Sequence, residues 1–137
     1  MTDYEIYQDI VSRVKEEGFN QELVLSLIEC DYEKRDMNIF DKDGKTALIW
    51  ASENGRHCSR IIMEKLLEQD IDINCRDKKY ESTALMWACQ SSNTTSTEET
   101  VKMLLDKNAN VNLQNKIGMT ALYFACQSSN TTSTEET

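Results

Sequence analysis

Proline is absent from the 137 residues, glycine occurs four times and histidine once. A chain without proline lacks the residue that most strongly breaks helices, which favours a helical protein. The single histidine leaves no pair of imidazoles for a metal site, and the few glycines form no glycine-rich phosphate loop. These absences argue against an enzyme or a small-molecule-binding protein, because either would need polar groups that converge in a pocket. We therefore expect no catalytic residue, no metal and no cofactor.

Positive charge is also scarce, since 15 basic residues face 24 acidic ones and the net charge is −9. This balance gives no electrostatic reason to expect binding to nucleic acid or to an anionic membrane. No run approaches the roughly 18 apolar residues of a membrane span. The N-terminal segment, Met1–Glu5, has neither the basic residues nor the apolar stretch of a signal peptide. We expect a soluble intracellular protein, cytoplasmic or nuclear and not secreted.

Five cysteines form an odd set without any C-x-x-C spacing. This pattern is typical of reduced, mostly buried thiols in a cytosolic or nuclear compartment. His57 and Cys58 are adjacent, but without a second histidine or a spaced cysteine pair they do not indicate zinc.

One stretch occurs twice. Residues 83–100 and 120–137 differ at only two positions, and a looser copy begins at Thr46. The threonines that open the three copies, Thr46, Thr83 and Thr120, are 37 residues apart (83 − 46 and 120 − 83). A fixed period of about 20–50 residues indicates stacked supersecondary units.

The segment before these copies predicts a pair of helices. Residues 4–17 place apolar side chains at helical spacing. These are Ile6, Ile10, Val11 and Val14. Gly18 should end this helix with a left-handed backbone, and Asn20 should cap a second helix over 21–29. The acidic exterior of such a pair suits the end of a stack, where one face must be polar.

Each later unit opens with a turn built on Asp41, Asp77 or Asn115, whose side chains can bond their own backbone. The second turn lacks glycine and has one extra residue, so we expect it to be distorted. The threonine that follows each turn should cap a short helix. In these helices alanines allow close approach, and Trp50, Trp87 and Phe124 should pack in the seams between units rather than stack on a ligand. A second helix should then follow, which includes Ile61, Ile62, Leu66 and Leu67 in the first unit and Val101, Met103, Leu104 and Leu105 in the second.

This pattern resembles the ankyrin repeat. The motif positions that match in the three copies are Asp41, Gly44, Thr46, Leu48, Ala51, Asn54, Gly55, Leu66, Leu67, Ile73 and Asn74; Asp77, Thr83, Leu85, Ala88, Val101, Leu104, Leu105, Ala109, Val111 and Asn112; and Gly118, Thr120, Leu122 and Ala125. The resemblance implies an all-α solenoid of stacked helix-turn-helix repeats with short β-turn or hairpin loops. Ile49, Met86 and Tyr123 replace the family's histidine, so apolar packing must take the place of its hydrogen bonds between repeats.

The repeats divide the chain into a capping helix pair (1–37), a first repeat (38–73), a second (74–111) and an incomplete third (112–137). Ser96–Glu99 has the spacing of a capping box before an apolar helix, whereas its copy Ser133–Glu136 has no helix behind it. Leu122 and Phe124 should then lack a covering helix. We expect a chain truncated from a longer array, of the type expanded in giant DNA viruses, or an exposed face that another chain covers.

Three further motifs have ordinary explanations. The sequons at Asn93 and Asn130 read as polar loop in a protein that is not secreted. Asp41–Gly44 lacks the remaining ligands of a calcium loop, so turn chemistry explains it. The Ser/Thr segments 90–97 and 127–134 read as solvated loops, although phosphorylation there would add charge at a helix start.

The resemblance implies a non-catalytic module that binds a protein through its turn tips and the exposed side of its first helices. The positions that correspond are Lys42, Asp43, Lys45, Glu53 and Asn54; Lys78, Lys79, Tyr80, Glu81, Gln90 and Ser91; and Lys116, Ile117, Met119, Gln127 and Ser128. The tips are mostly basic, which would suit an acidic partner, and Tyr80 is the best single anchor because aromatic residues dominate interface energetics. The alternative is a self-associating fragment whose exposed C-terminal unit mediates oligomerisation.

Overall fold

In a computed structural model the described residues, 1–55, 60–91 and 98–133, form an all-α stack; side chains are described through residue 127. The helices are α1 (Asp3–Glu17), α2 (Gln21–Glu29), α3 (Ala47–Glu53), α4 (Arg60–Leu67), α5 (Ala84–Gln90), α6 (Glu98–Asp106) and α7 (Ala121–Ser133). The predicted all-α solenoid is confirmed. None of the helices in these ranges has the length and apolar character needed to cross a bilayer.

Local capping defines the first helix pair as the sequence predicts. Gly18 ends α1 at a φ of 86°, and its N–H donates to the Val14 carbonyl at 2.9 Å. The Asn20 side chain accepts from the Leu23 N–H at 2.8 Å and starts α2. The helix predicted from the spacing of Ile6, Ile10, Val11 and Val14 is present, and within it Ile10 and Val14, one turn apart, are buried whereas Ile6 is exposed.

The threonines cap the three inner helices α3, α5 and α7, as predicted. The hydroxyls of Thr46, Thr83 and Thr120 accept from backbone N–H groups three residues on at 3.2, 3.3 and 3.3 Å. Each bond satisfies an N–H that the helix cannot pair internally. These caps fix where every inner helix leaves its turn.

Apolar packing replaces the histidine of the family pattern in two of the three repeats. Ile49 and Met86 are each only 1% exposed, whereas Tyr123 remains exposed. Trp50 and Trp87 are half-buried at the edge of the core. The seams are therefore filled by Ile49 and Met86 more completely than by the tryptophans that the sequence favoured.

The predicted outer helices α4 and α6 are present, and each buries only part of its apolar residues. Ile61 is 62% exposed and Leu105 is also exposed, while Leu66 and Leu104 are fully buried. A helix that packs on one side only buries a stripe and leaves flanking apolar residues in solvent. Arg60 of α4 donates to Glu99 of α6 at 2.6 Å, and both side chains are about half exposed or more. The segments 56–59 and 92–97, and with them the predictions for His57, Cys58, Asn93 and Ser96, lie outside the described residues.

A ladder of side-chain to backbone hydrogen bonds connects the segments that follow the outer helices. The Asn38 carboxamide accepts from the Asp72 N–H at 2.8 Å, and Asn74 accepts from the Asn110 N–H at 2.8 Å. Asn38 follows α2 and Asn74 follows α4, and both make the same kind of bond. The first helix pair therefore joins the next unit in the same way as the first repeat does. Backbone polar groups between units are thus paired in register.

The third copy departs from expectation in two ways. Leu122 is 71% exposed, as predicted, but Phe124 is only 7% exposed because it joins the core where α7 packs on α5. The segment 127–134 was predicted to be a loop like 90–97, yet the backbone of α7 is helical through Ser133. In the second copy Ser91 ends α5 where the chain must turn towards α6, whereas no described element requires that turn after α7.

Candidate partner-binding face

Each turn tip is organised by one side chain. A single oxygen of Asp41 accepts from the N–H groups of Asp43 and Lys45 at 2.8 and 3.0 Å. Asp77 accepts from Tyr80 and Ser82 at 3.2 and 2.8 Å. Such bonds hold a turn in one conformation.

The third turn and the distorted second one follow the same plan. Asn115 accepts from Ile117 and Met119, both at 3.0 Å. The first turn has Gly44 at a φ of 74° and the third has Gly118 at 91°, whereas the second turn has Glu81 at a φ of 57°. The predicted distortion is therefore a non-glycine residue in left-handed backbone, which is strained for an L-amino acid.

The tips also bond to one another. The Lys78 N–H donates to the Gly44 carbonyl at 3.0 Å, and the Lys116 N–H donates to the Tyr80 carbonyl at 3.1 Å. A Cβ on Gly44 would lie 2.8 Å from the Lys78 Cβ, so this contact requires glycine. The tips therefore form one continuous row rather than independent loops.

Most of the predicted site residues are accessible along this row and the inner helices. Exposed side chains are Lys42, Asp43, Lys78, Lys79, Tyr80, Glu81, Gln90, Lys116, Ile117 and Gln127. Lys45, Glu53, Asn54 and Met119 are half-buried. The side chain of Ser128 lies outside the described residues.

Ser91 does not belong to the accessible surface. It is only 8% exposed, because it is the C-cap of α5 and its N–H donates to the Trp87 carbonyl at 3.0 Å. Its role as a contact residue stays a prediction, and its burial leaves little of it for a partner to reach. Asn54 has a comparable internal role at the end of α3, where its side chain donates to the Trp50 carbonyl at 2.9 Å.

A groove lies where the second and third turns meet α5 and α7. Its volume is about 480 Å³, and its lining includes five predicted site residues: Tyr80, Gln90, Ile117, Met119 and Gln127. The rings of Tyr80 and Trp87 are 6.0 Å apart, and those of Tyr123 and Phe124 are 5.5 Å apart and nearly perpendicular. Aromatic walls with amide groups at one end can hold an apolar side chain and orient a peptide backbone.

Sequence reasoning missed Trp87, Tyr123 and Phe124 as groove residues. Trp87 was assigned to the core because it recurs at the repeat period. In α5, however, Ala84, Leu85, Met86, Ala88 and Cys89 are all buried, and a seven-residue helix has few positions left for solvent. Which side chain of α5 reaches the groove depends on where the adjacent repeats stack, so no local signal in the sequence marks Trp87 as a groove residue.

The lysines of the row lie against aromatic faces. The ammonium nitrogen of Lys45 is 4.6 Å from the centre of the Trp87 ring, and that of Lys78 is 4.6 Å from the centre of the Phe40 ring. Lys45 also forms an ion pair with Glu53. Cation–π contacts of this kind fix flexible lysine side chains at the surface.

A second, more apolar groove of about 520 Å³ lies between α5, α6 and α7. It is lined by Leu85, Cys89, Val101, Leu105, Val111, Asn112, Thr120, Ala121, Leu122 and Ala125. Its surface continues onto the exposed side chain of Leu122.

Two of the described cysteines, Cys75 and Cys89, have thiols with little nucleophilic character. Burial raises the pKa of Cys89 to about 11, and burial together with the charge of Asp72 raises the pKa of Cys75. A raised pKa keeps a thiol protonated at neutral pH, whereas the thiolate is the nucleophile. Cys30 is buried and Cys126 is exposed. Over the ranges described, no three His, Cys, Asp or Glu residues are grouped to hold a metal ion.

Comparison with protein families agrees with this geometry. A model described as ankyrin repeats (3 copies) matches residues 13–115 and again residues 59–135. No curated protein matches the chain at a significant level. The two matched ranges together span most of the sequence and include every inner helix described above. The chain belongs to the ankyrin repeat family, whose repeats are generally non-catalytic protein–protein interaction modules.

Proposed function

We propose that this chain is a non-catalytic binding module that holds a protein partner against the row of turn tips and the inner helices. The observation that carries this function is the aromatic groove at Tyr80, where predicted contact residues from two consecutive repeats converge. Stacked repeats offer an extended concave surface, and their partners gain affinity from a few buried aromatic anchors. Residues 1–37 then serve as the polar end of the stack.

Affinity capture with the whole chain tests this function. The variant Tyr80→Ala/Lys78→Glu/Lys79→Glu should lose partners that the wild type retains, because it removes the anchor and reverses the charge of the second tip. A matched control, Ile61→Ala, changes an exposed apolar residue of α4 instead. The row of turn tips together with the inner helices α3, α5 and α7 is called the concave face below. If the triple variant and the wild type retain the same partners equally, the concave face is not the binding surface.

Self-association is a second candidate, which the apolar groove beside Leu122 favours. An exposed apolar patch of this kind is typical of an interaction surface. Light scattering over a range of protein concentrations should then show a mass that rises with concentration, and Leu122→Gln should abolish the rise. A constant monomer mass for both proteins would eliminate this candidate.

A further inference from the structure

Two ammonium groups converge on one side chain at the rim of the aromatic groove. The nitrogen of Lys79 is 5.2 Å and that of Lys116 is 6.0 Å from the centre of the Tyr80 ring. The backbone bond from the Lys116 N–H to the Tyr80 carbonyl, at 3.1 Å, holds the two tips together. Within the described ranges, neither lysine forms an ion pair. A negatively charged group placed beside Tyr80 would be attracted to both ammonium groups.

The same groove also has an apolar part, which lies beside polar side chains such as Ser82 and Asn115. Trp87 and Phe124 lie along its base, and Ile117, which is exposed, forms part of its wall. Apolar side chains left in solvent at the edge of a concave site gain from contact with an apolar group. The occupant that satisfies both regions carries a negative charge next to a large apolar side chain.

We propose, on the basis of the partner-binding function above, that this groove binds an acidic peptide segment. A carboxylate of the segment contacts the ammonium groups of Lys79 and Lys116, and a neighbouring aromatic or aliphatic side chain fills the space over Trp87 and Phe124. A peptide fits better than a nucleic acid, because the basic groups beside the groove are a few lysines of the turn tips in a chain whose net charge is −9. A phosphate backbone needs a longer positive surface.

A displayed library of random peptides, selected on the full-length wild-type protein, provides the probe. We expect selected sequences to contain Asp or Glu next to Phe, Trp, Leu or Ile. The best peptide, labelled with fluorescein, is then titrated in a fluorescence anisotropy assay against three proteins: wild type, Lys79→Gln/Lys116→Gln and Tyr80→Ala. Lys34→Gln/Lys107→Gln is the matched control, because it removes two positive charges from exposed lysines elsewhere. Circular dichroism and thermal melting confirm that each variant is folded.

The two lysines beside the Tyr80 ring should account for the acidic preference. Lys79→Gln/Lys116→Gln should bind the peptide about tenfold more weakly, which corresponds to about 1.4 kcal/mol, and the control should bind like the wild type. Affinity should fall as salt is added, because the contacts are partly exposed ion pairs.

The outcomes separate the occupant from the binding surface. Selected peptides that depend on Tyr80 but are neutral or basic would overturn the acidic segment and leave the concave face intact as the binding surface. Peptides that bind equally well to Tyr80→Ala and to the wild type would overturn both. Tighter binding of a labelled oligothymidylate than of the acidic peptide, lost in Lys79→Gln/Lys116→Gln, would assign the groove to nucleic acid instead.

Discussion

The ammonium group of Lys45, at the first turn, lies 4.6 Å from the centre of the Trp87 ring in the next repeat. Lys45 is bonded at the same time to Glu53, at the end of its own inner helix. This lysine therefore connects two repeats as well as the two ends of α3. The contact lies on the concave face, directly beside the aromatic groove.

Replacing Lys45 with methionine should test this connection. The change keeps the apolar stem but removes both the ion pair and the cation–π contact, so we expect a loss of about 0.5–1 kcal/mol in the free energy of unfolding. Lys42→Met is the matched control, since Lys42 is exposed and forms no ion pair within the described residues. Urea denaturation followed by circular dichroism gives both values. Equal stability of the two variants would show that the contact contributes nothing.

Asp77 should tolerate asparagine but not alanine. One of its oxygens accepts from two N–H groups of the second turn, while the other is buried without a hydrogen-bond partner. Asparagine keeps the accepting oxygen and removes a buried charge, as Asn115 does in the third turn. We expect Asp77→Ala to cost about 1–3 kcal/mol and Asp77→Asn to cost much less. Thermal melting of both variants checks this; an equal loss would mean that the charge itself stabilises the turn.

The core of the second repeat should depend on Leu104 rather than Leu105. Leu104 is fully buried, whereas the adjacent Leu105 is exposed. Leu104→Ala should lower the free energy of unfolding by about 2–5 kcal/mol, because it leaves a cavity that the neighbours only partly fill. Leu105→Ala, the control, should cost less than about 1 kcal/mol. Urea denaturation of the two variants gives the comparison, and a reversed order would contradict the orientation of α6.

The Cys89 thiol should make the folded state sensitive to alkaline pH. Its pKa is about 11 in the folded protein against an ordinary value of 9.0. The contribution of the protonated thiol to the free energy of unfolding is fully present below pH 9. It is lost as the pH rises towards 11, because the unfolded state releases the proton at a lower pH than the folded state does. The stability difference between wild type and Cys89→Ala, measured by urea denaturation, should therefore shrink over this window. A difference that is constant with pH would contradict the burial of this thiol.

Local chemistry made much of the fold predictable. The threonine caps, Gly18 and Asn20 act through hydrogen bonds to neighbours within four residues, so their positions in the sequence already specify their roles. The orientation of Trp87 could not be read in the same way. Which face of α5 is buried depends on where the adjacent repeats stack, and that is a tertiary property.

The same distinction applies to the candidate site. Exposure of the tips follows from the repeat pattern, and most predicted contact residues are accessible. The burial of Ser91 and the length of α7 depend instead on whether the chain turns towards an outer helix after the inner one. The same sequence of residues therefore ends a helix in α5 and continues one in α7.

The two indole N–H groups of the chain give the most direct test of partner binding at the concave groove. Trp87 lines the groove and Trp50 does not, and they are the only tryptophans. In a ¹H–¹⁵N correlation spectrum of the labelled full-length protein, addition of a bound partner or selected peptide should shift the Trp87 indole signal and leave the Trp50 signal in place. Saturating binding that shifts the Trp50 signal and leaves the Trp87 signal unmoved would contradict the account.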